Sequence, residues 1–229
     1  MITVYYAGTE GMEAVYEYRI KELHQSRAEK LTQYKMTDDR IRGLTAGLLL
    51  EHGLCEYIKE NNLRPIEREQ DGRLKIEYGY KENGKPFLKA YPEIHFSLSH
   101  SGDLVVLAIG DKEIGIDVQQ WKGYQDKIAK RFYHANEKER LEHCEPKSRE
   151  ELFYRFWCIK EAYIKYTGRG IGQELDGFYT DEAFEKVYDA QGTFLAECMC
   201  LDFERKKYQA AMVCEHLKER TVSIRKVIL

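Results

Sequence analysis

The chain has 229 residues, with 36 Lys plus Arg against 39 Asp plus Glu and a formal net charge of −3. At roughly 150 residues per domain, this length allows one large domain or two small ones. Hydrophobic residues at 43% suffice for a core, and charged residues at 33%, above the usual ~25%, describe a highly charged surface. The near balance of charge excludes a protein held on nucleic acid by bulk attraction to phosphate, while leaving room for a local basic pocket for one small anion. No apolar run approaches the ~18 residues of a membrane span. The opening MITVYYAGTEGMEAVY lacks the basic-then-apolar pattern of a signal peptide. A cytoplasmic location is therefore expected. Six cysteines are too sparse for a disulfide scaffold, and no C-x-x-C occurs. Cys198 and Cys200 alternate as on one face of a strand, which is ordinary packing.

In chain order, Ile2 to Tyr6 reads as an opening strand and Met12 to Leu31 as a charged, roughly helical stretch. Asp38 or Asp39 can cap a stronger helix in which Ile41, Leu44, Leu48, Cys55 and Ile58 recur at helical spacing. Lys75 to Tyr78 reads as a short strand, followed by the turn-rich Glu82-Asn83-Gly84-Lys85-Pro86. Ile94 to His100 and Leu104 to Ile109, joined by Ser101-Gly102-Asp103, read as a hairpin. The second half opens on the strand Ile114 to Val118. Helices are expected over Gln125 to Arg131, Glu137 to Cys144 and Glu150 to Tyr166, the last stopped by Thr167-Gly168-Arg169-Gly170. Strands over Thr193 to Leu201, Tyr208 to Cys214 and Thr221 to Ile228 close the chain. Each half runs strand, helices, strands, so the class is α+β with two related subdomains, residues 1–112 and 113–229.

Three segments carry possible chemistry. On the Ile114 strand, Gly115, Asp117 and Gln119 share a face opposite Ile114, Ile116 and Val118, setting an acid and an amide beside a glycine that admits close approach. Taken alone this reads first as an exposed polar strand face and only second as a site. Along the helix Glu150 to Tyr166, Trp157, Glu161 and Lys165 recur by four and stack along one stripe. A Glu–Lys pair at that spacing is usually a surface ion pair of about 0.3–0.5 kcal/mol. Its functional alternative is a carboxylate for a hard cation or a proton, with an ammonium aimed at phosphate. Phe96-Ser97-Leu98-Ser99-His100-Ser101-Gly102 runs small hydroxyls into an imidazole at a tight turn, suited to an anion. No Walker loop, G-x-G-x-x-G or G-x-S-x-G occurs. The glycines from Gly168 to Gly172 follow a helix, where they cap it.

Gly84-Lys85-Pro86, Phe96 to Gly102, Gly115-Ile116-Asp117-Val118 and Trp157-Cys158-Ile159-Lys160-Glu161-Ala162 with Lys165 stand in the order and spacing of one family. The chain resembles the phosphopantetheinyl transferases of the long, surfactin-synthetase-activating type, clearly from about Gly84 to Gly172 and more loosely at Arg27, Lys30 and Arg42. The resemblance implies a pseudo-dimer of two similar α+β subdomains with the active site in the cleft between them. It implies coenzyme A as co-substrate, Mg²⁺ as cofactor, and an apo acyl or peptidyl carrier protein as acceptor of the 4′-phosphopantetheine arm. Asp117 and Glu161 match metal-ligating carboxylates, and Glu161 also matches the acceptor of the serine proton. Lys165 matches a lysine that stabilises charge at the pyrophosphate. Lys85, Ser99 and His100 match coenzyme A contacts, and Arg27, Lys30 and Arg42 are candidates for its 3′-phosphate end.

One position departs from the family pattern. The strand usually continues to a metal-ligating Glu, where this chain has Gln119, whose amide oxygen can still ligate Mg²⁺ but brings no charge. A relative that binds coenzyme A or carrier protein without transfer is the alternative reading, and an unrelated magnesium-dependent nucleotide enzyme a third. Neither a nucleic-acid nor a membrane partner is expected, and the pseudo-dimer implies a monomer. A docking surface for the carrier protein is expected over Trp121 to Tyr133, where Lys122, Lys127, Lys130 and Arg131 alternate with Trp121, Tyr124, Ile128, Phe132 and Tyr133.

Overall fold

The computed structural model describes residues 1–82, 84–170, 174–203 and 205–229. Asn83 of the expected turn and Gly172 of the glycine stretch lie outside the described residues. The chain divides into two units, Met1–Tyr80 with Pro86–Asp111 and Thr221–Leu229, and Lys81–Lys85 with Lys112–Arg220.

In the first unit, strands β1 (Ile2–Gly8), β4 (His95–Ser101), β5 (Leu104–Gly110) and β11 (Val222–Lys226) form a sheet in the order β11-β1-β5-β4. The expected hairpin is β4–β5, antiparallel with His100 opposite Val105. The long helix α3 (Thr37–Glu60) covers one face of this sheet. Leu49, Leu50, Leu54 and Tyr57 pack there on Tyr5, Phe96, Leu107 and Ile109. Each fully buried aliphatic side chain stabilises the unit by about 1.5–3 kcal/mol. The helix starts at Thr37 after Met36, with no side-chain cap, and Asp38 and Asp39 sit in its first turn. There they favour the positive end of the helix dipole instead of capping it.

The stretch Met12 to Leu31 is two helices, α1 (Met12–Arg19) and α2 (Gln25–Thr32), separated by a 3₁₀ turn over Ile20–Glu22. The break has a packing cause. Leu23 is extended and fully buried, and it inserts against Gly47 of α3, which lets both short helices bury Met12, Leu23 and Leu31 on Leu44 and Leu48. The strand expected at Lys75 lies slightly later, as β2 (Tyr78–Tyr80) paired with β3 (Pro86–Leu88).

The last strand corrects the expected division at residues 113–229. β11 runs parallel to β1, Ile2 opposite Val222, and so belongs to the first unit's sheet. Arg225 adds an ion pair to Glu60 at 2.6 Å.

The second unit carries an antiparallel sheet in the order β6-β10-β9-β8-β7, with β6 Ile114–Gln120, β7 Phe178–Thr180, β8 Lys186–Asp189, β9 Phe194–Leu201 and β10 Tyr208–Cys214. Helix α6 (Arg149–Thr167) lies across it, burying Cys158, Ile159, Ala162 and Tyr163 against Ala196, Cys198, Ala211 and Val213. Gly168 ends α6 in the left-handed conformation, φ +67°, its N–H bonded to the Ile164 carbonyl at 2.9 Å. That is the expected glycine cap. Helices α4 (Asp126–Phe132) and α5 (Ala135–His143) close on the N-terminal half of α6 through Tyr133, Phe153, Tyr154 and Phe156. All six cysteines are free. No helix among the described residues is long and apolar enough to cross a membrane.

Candidate functional site

The second unit gathers its candidate residues where β6 meets α6. Gly115 makes this possible. A methyl group there would overlap the Ala162 carbonyl oxygen and the Tyr166 backbone nitrogen, so only glycine lets the helix backbone press onto the strand. Two residues along, Asp117 is almost wholly buried, at 2% exposure. A lone carboxylate at that depth is costly, and two donors compensate it. Lys165 donates from its ammonium to Asp117 Oδ1 at 2.7 Å and to the Ile116 carbonyl at 3.2 Å. The Gln119 side-chain amide donates to Asp117 Oδ2 at 2.9 Å. The strand alternation that sets Gly115, Asp117 and Gln119 on one face thus operates as expected.

Glu161 stands one helical turn before Lys165 on α6. Burial, and then the nearby Asp117 charge, raise its pKa, while Lys165 lowers it. Two carboxylates therefore share one ammonium, which leaves a net negative, oxygen-only donor set. Among the described residues no three acidic, His or Cys groups cluster as a metal site. Two carboxylates still fit Mg²⁺, which commonly takes one or two from the protein and the rest from substrate phosphates and water. Trp157, the third member of the expected stripe, joins the aromatic cluster, stacked parallel to Phe153 with ring centroids 6.5 Å apart.

Lys85 lies in the same unit, but its ammonium is committed within the protein. It donates to Glu113 Oε2 at 2.8 Å, the Ile114 carbonyl at 3.0 Å and the Tyr166 carbonyl at 3.3 Å. Lys81 pairs with the other oxygen of Glu113.

The remaining candidates belong to the first unit. Ser99 is buried and His100 exposed, and as neighbours on β4 they face opposite sides of the sheet. His100 shares the α3 side with Phe96 and Leu98. Arg42, near the start of α3, donates to the Gly102 carbonyl at 3.3 Å and pairs with Asp39 at 2.6 Å, which brings it to the turn just after His100. Arg27 on α2 is half-buried over Gly47, where its charge acts on Glu51 and Tyr78. Lys30, three residues on, is exposed. A cavity of about 790 Å³ in this unit is lined by Glu51, His52, Arg68 and Arg73 and by none of these five candidates.

The surface expected around α4 is only half as read. Lys122, Lys127, Lys130 and Arg131 are exposed. Of the interleaved aromatics, Tyr133 is core, packed on Phe153, while Tyr124 and Phe132 are half-buried against Phe153 and Trp157. The basic side chains are exposed, while Trp121, Tyr124, Ile128 and Phe132 keep part of their surface in solvent. Sequence reasoning also passed over Lys160, which lies inside the Trp157 to Ala162 motif and is buried on the side away from solvent.

Comparison with known proteins places the chain in a family. The family model described as 4′-phosphopantetheinyl transferase superfamily matches residues 113–218, and one described as 4′-phosphopantetheinyl transferase, N-terminal, matches residues 10–112. A 4′-phosphopantetheinyl transferase of Bacillus subtilis is 34% identical over 156 residues, covering 58% of this chain and 70% of that protein. The 4′-phosphopantetheinyl transferase psf-1 of Bacillus pumilus is 36% identical over 146 residues, covering 64% of this chain and 58% of its own. The 4′-phosphopantetheinyl transferase gsp of Aneurinibacillus migulanus is 29% identical over 168 residues, covering 73% and 65%. The matches thus span less than two thirds of these last two relatives, 58% and 65%. With both halves matched and a strand–helix pair that brings Asp117 to Lys165 beside Glu161, the chain belongs to the 4′-phosphopantetheinyl transferase superfamily.

Proposed function

We propose that this protein transfers the 4′-phosphopantetheine arm of coenzyme A to a serine of an apo acyl or peptidyl carrier protein, releasing 3′,5′-adenosine bisphosphate. The observation that carries the reading is the Asp117–Lys165 contact at 2.7 Å with Glu161 one turn away. Two carboxylates and one ammonium on a rigid strand–helix pair suit attack on a pyrophosphate. Asp117 and Glu161 would hold Mg²⁺, with Gln119 either ligating through its amide oxygen or holding Asp117 in place. A bound Mg²⁺ supplies charge neutralisation at the pyrophosphate.

The protein's own groups do the rest. Glu161, its pKa raised by burial, takes the proton of the attacking serine hydroxyl. The Lys165 ammonium, 30% exposed, stabilises the charge that develops at the pyrophosphate. Ser99 and His100, and Arg27, Lys30 and Arg42, are assigned to coenzyme A, the last three to its 3′-phosphate end. The exposed lysines of α4 are assigned to the carrier protein.

Incubating the protein with an apo carrier protein, coenzyme A and Mg²⁺ tests the reaction by mass spectrometry. The carrier is expected to gain the mass of one phosphopantetheine arm, and an unchanged carrier refutes the reading. The docking surface has its own test. The double reversal Lys127→Glu and Lys130→Glu is expected to raise KM for the carrier protein severalfold and to leave coenzyme A affinity unchanged. Lys130 pairs with Asp126 at 2.7 Å, so part of any small loss of stability belongs to that helix pair. An unchanged KM removes α4 as the dock.

A further inference from the structure

The Gly84-Lys85-Pro86 segment stands out in the sequence, yet the structure turns its lysine away from a ligand-binding role. An ammonium has three N–H donors. Lys85 has three acceptors within 3.3 Å: the Glu113 carboxylate, the Ile114 carbonyl and the Tyr166 carbonyl. Its side chain is only 12% exposed. No donor is left over for a phosphate, and desolvation on burial lowers its pKa, the charge being retained by Glu113 beside it.

The three acceptors have meaningful addresses. Ile114 is the first residue of β6, three before Asp117. Tyr166 stands in the last turn of α6, next to Lys165, and its carbonyl is among those that a helix leaves without an internal partner. A cation there also meets the negative end of the helix dipole. One ammonium therefore spans the strand that carries Asp117 and the helix that carries Glu161 and Lys165. The crossing it spans is the one where Gly115 admits the helix backbone.

We propose that Lys85 is a positioning residue, a clamp that fixes the register of α6 on β6 and with it the approach of Lys165 and Glu161 to Asp117. This rests on the transferase reading for its kinetic consequence and on the fold alone for its structural one. Lys85→Met keeps the methylene stem and removes the ammonium, and Lys85→Arg keeps the charge and several donors. Steady-state transfer kinetics, coenzyme A binding by calorimetry, and amide hydrogen exchange over residues 114–118 and 163–168 separate the possibilities.

The Met variant is expected to lose about tenfold to a hundredfold in kcat through misplacement of the reacting groups. Its coenzyme A Kd should stay within about twofold, and its exchange in both segments should quicken. The Arg variant should recover most of the kcat. A coenzyme A Kd weakened about tenfold or more with kcat retained would make Lys85 a ligand contact and overturn the proposal. Unchanged exchange in the Met variant would overturn it equally. A wild-type protein with no transfer activity would refute the transferase reading instead, and the exchange data would still decide whether the clamp exists.

Discussion

Asp117→Asn is expected to fold and to lose nearly all transfer activity. The substitution preserves shape, so what remains is a question of hydrogen bonds and charge. The native carboxylate accepts from Lys165 on Oδ1 and from the Gln119 amide on Oδ2. An asparagine can keep its oxygen towards Lys165 and turn its NH₂ towards Gln119. Gln119 can then rotate its own amide and accept, because both ends of that group are available. The geometry is recoverable, and the stability cost should be modest, about 1–3 kcal/mol for a weakened charged hydrogen bond.

The charge is not recoverable. Lys165 loses the carboxylate it touches, and the site keeps Glu161 as its single carboxylate. Removing one preorganised electrostatic partner from a reacting centre costs about a hundredfold to a thousandfold in kcat. A divalent cation that must hold a pyrophosphate would lose half its protein ligands as well. Thermal melting and transfer kinetics on the same preparation check both halves. A folded Asn variant with activity within about threefold of wild type would show that Asp117 lies outside the reacting centre.

The contrast between Asp117 and Lys85 shows what the sequence could and could not disclose. A period of two along Ile114 to Val118 suffices to set Gly115, Asp117 and Gln119 on one face, and a period of 3.6 suffices to align Glu161 with Lys165. Those are local rules, and the structure obeys them. The partner of Lys165 is 48 residues away, and the acceptors of Lys85 lie up to 81 residues away. Such pairings depend on how a helix is laid on a sheet, which no local period encodes. Gly115 carries a hint, since a glycine in an otherwise branched strand marks close approach, without saying what approaches.

The elements that differ from expectation have the same physical origin. β7 and β8 have only three and four residues, too short for alternation to register. The helical stretch from Met12 is broken by the demand that Leu23 enter the groove beside Gly47, a tertiary requirement overriding helical propensity. β11 reads correctly as a strand, and its assignment to the other unit's sheet is a matter of topology alone. Around α4, aromatic and basic residues alternate in sequence, yet the fold exposes the basic ones and turns the aromatics partly or, at Tyr133, wholly inward.

Lys160→Met should destabilise the protein more than Asp117→Asn does. Lys160 adjoins Glu161 in the chain but points about 100° further round α6, into the interior. Its ammonium meets the Glu137 carboxylate at 2.8 Å and the carbonyls of Leu175 and Phe178 at 2.8 and 2.7 Å. It also lies 4.5 Å from the centre of the Phe178 ring. Both charged side chains are 1% exposed. Burial pushes Lys160 down and Glu137 up, against their mutual attraction, so each depends on the other to stay ionised. Glu137 further accepts the His134 backbone N–H at 3.0 Å, half of the capping box that starts α5.

The pair thus joins α5, α6 and the start of β7. Methionine fills similar volume, so the loss is electrostatic rather than a cavity. It strands a buried carboxylate and two carbonyls, and breaking such a pair from one side costs about 3–5 kcal/mol. That is a large share of the ~5–15 kcal/mol that holds a typical domain folded. Adding Glu137→Leu should return part of the loss, because the orphaned carboxylate goes with it, and the cycle should show a coupling of about 1–3 kcal/mol. Urea unfolding of the two single variants, the double variant and wild type measures all of these. A Lys160→Met cost below about 1 kcal/mol, or strictly additive variants, would show that Glu137 does not need Lys160, and that the α5–α6 packing rests on the aromatic cluster alone.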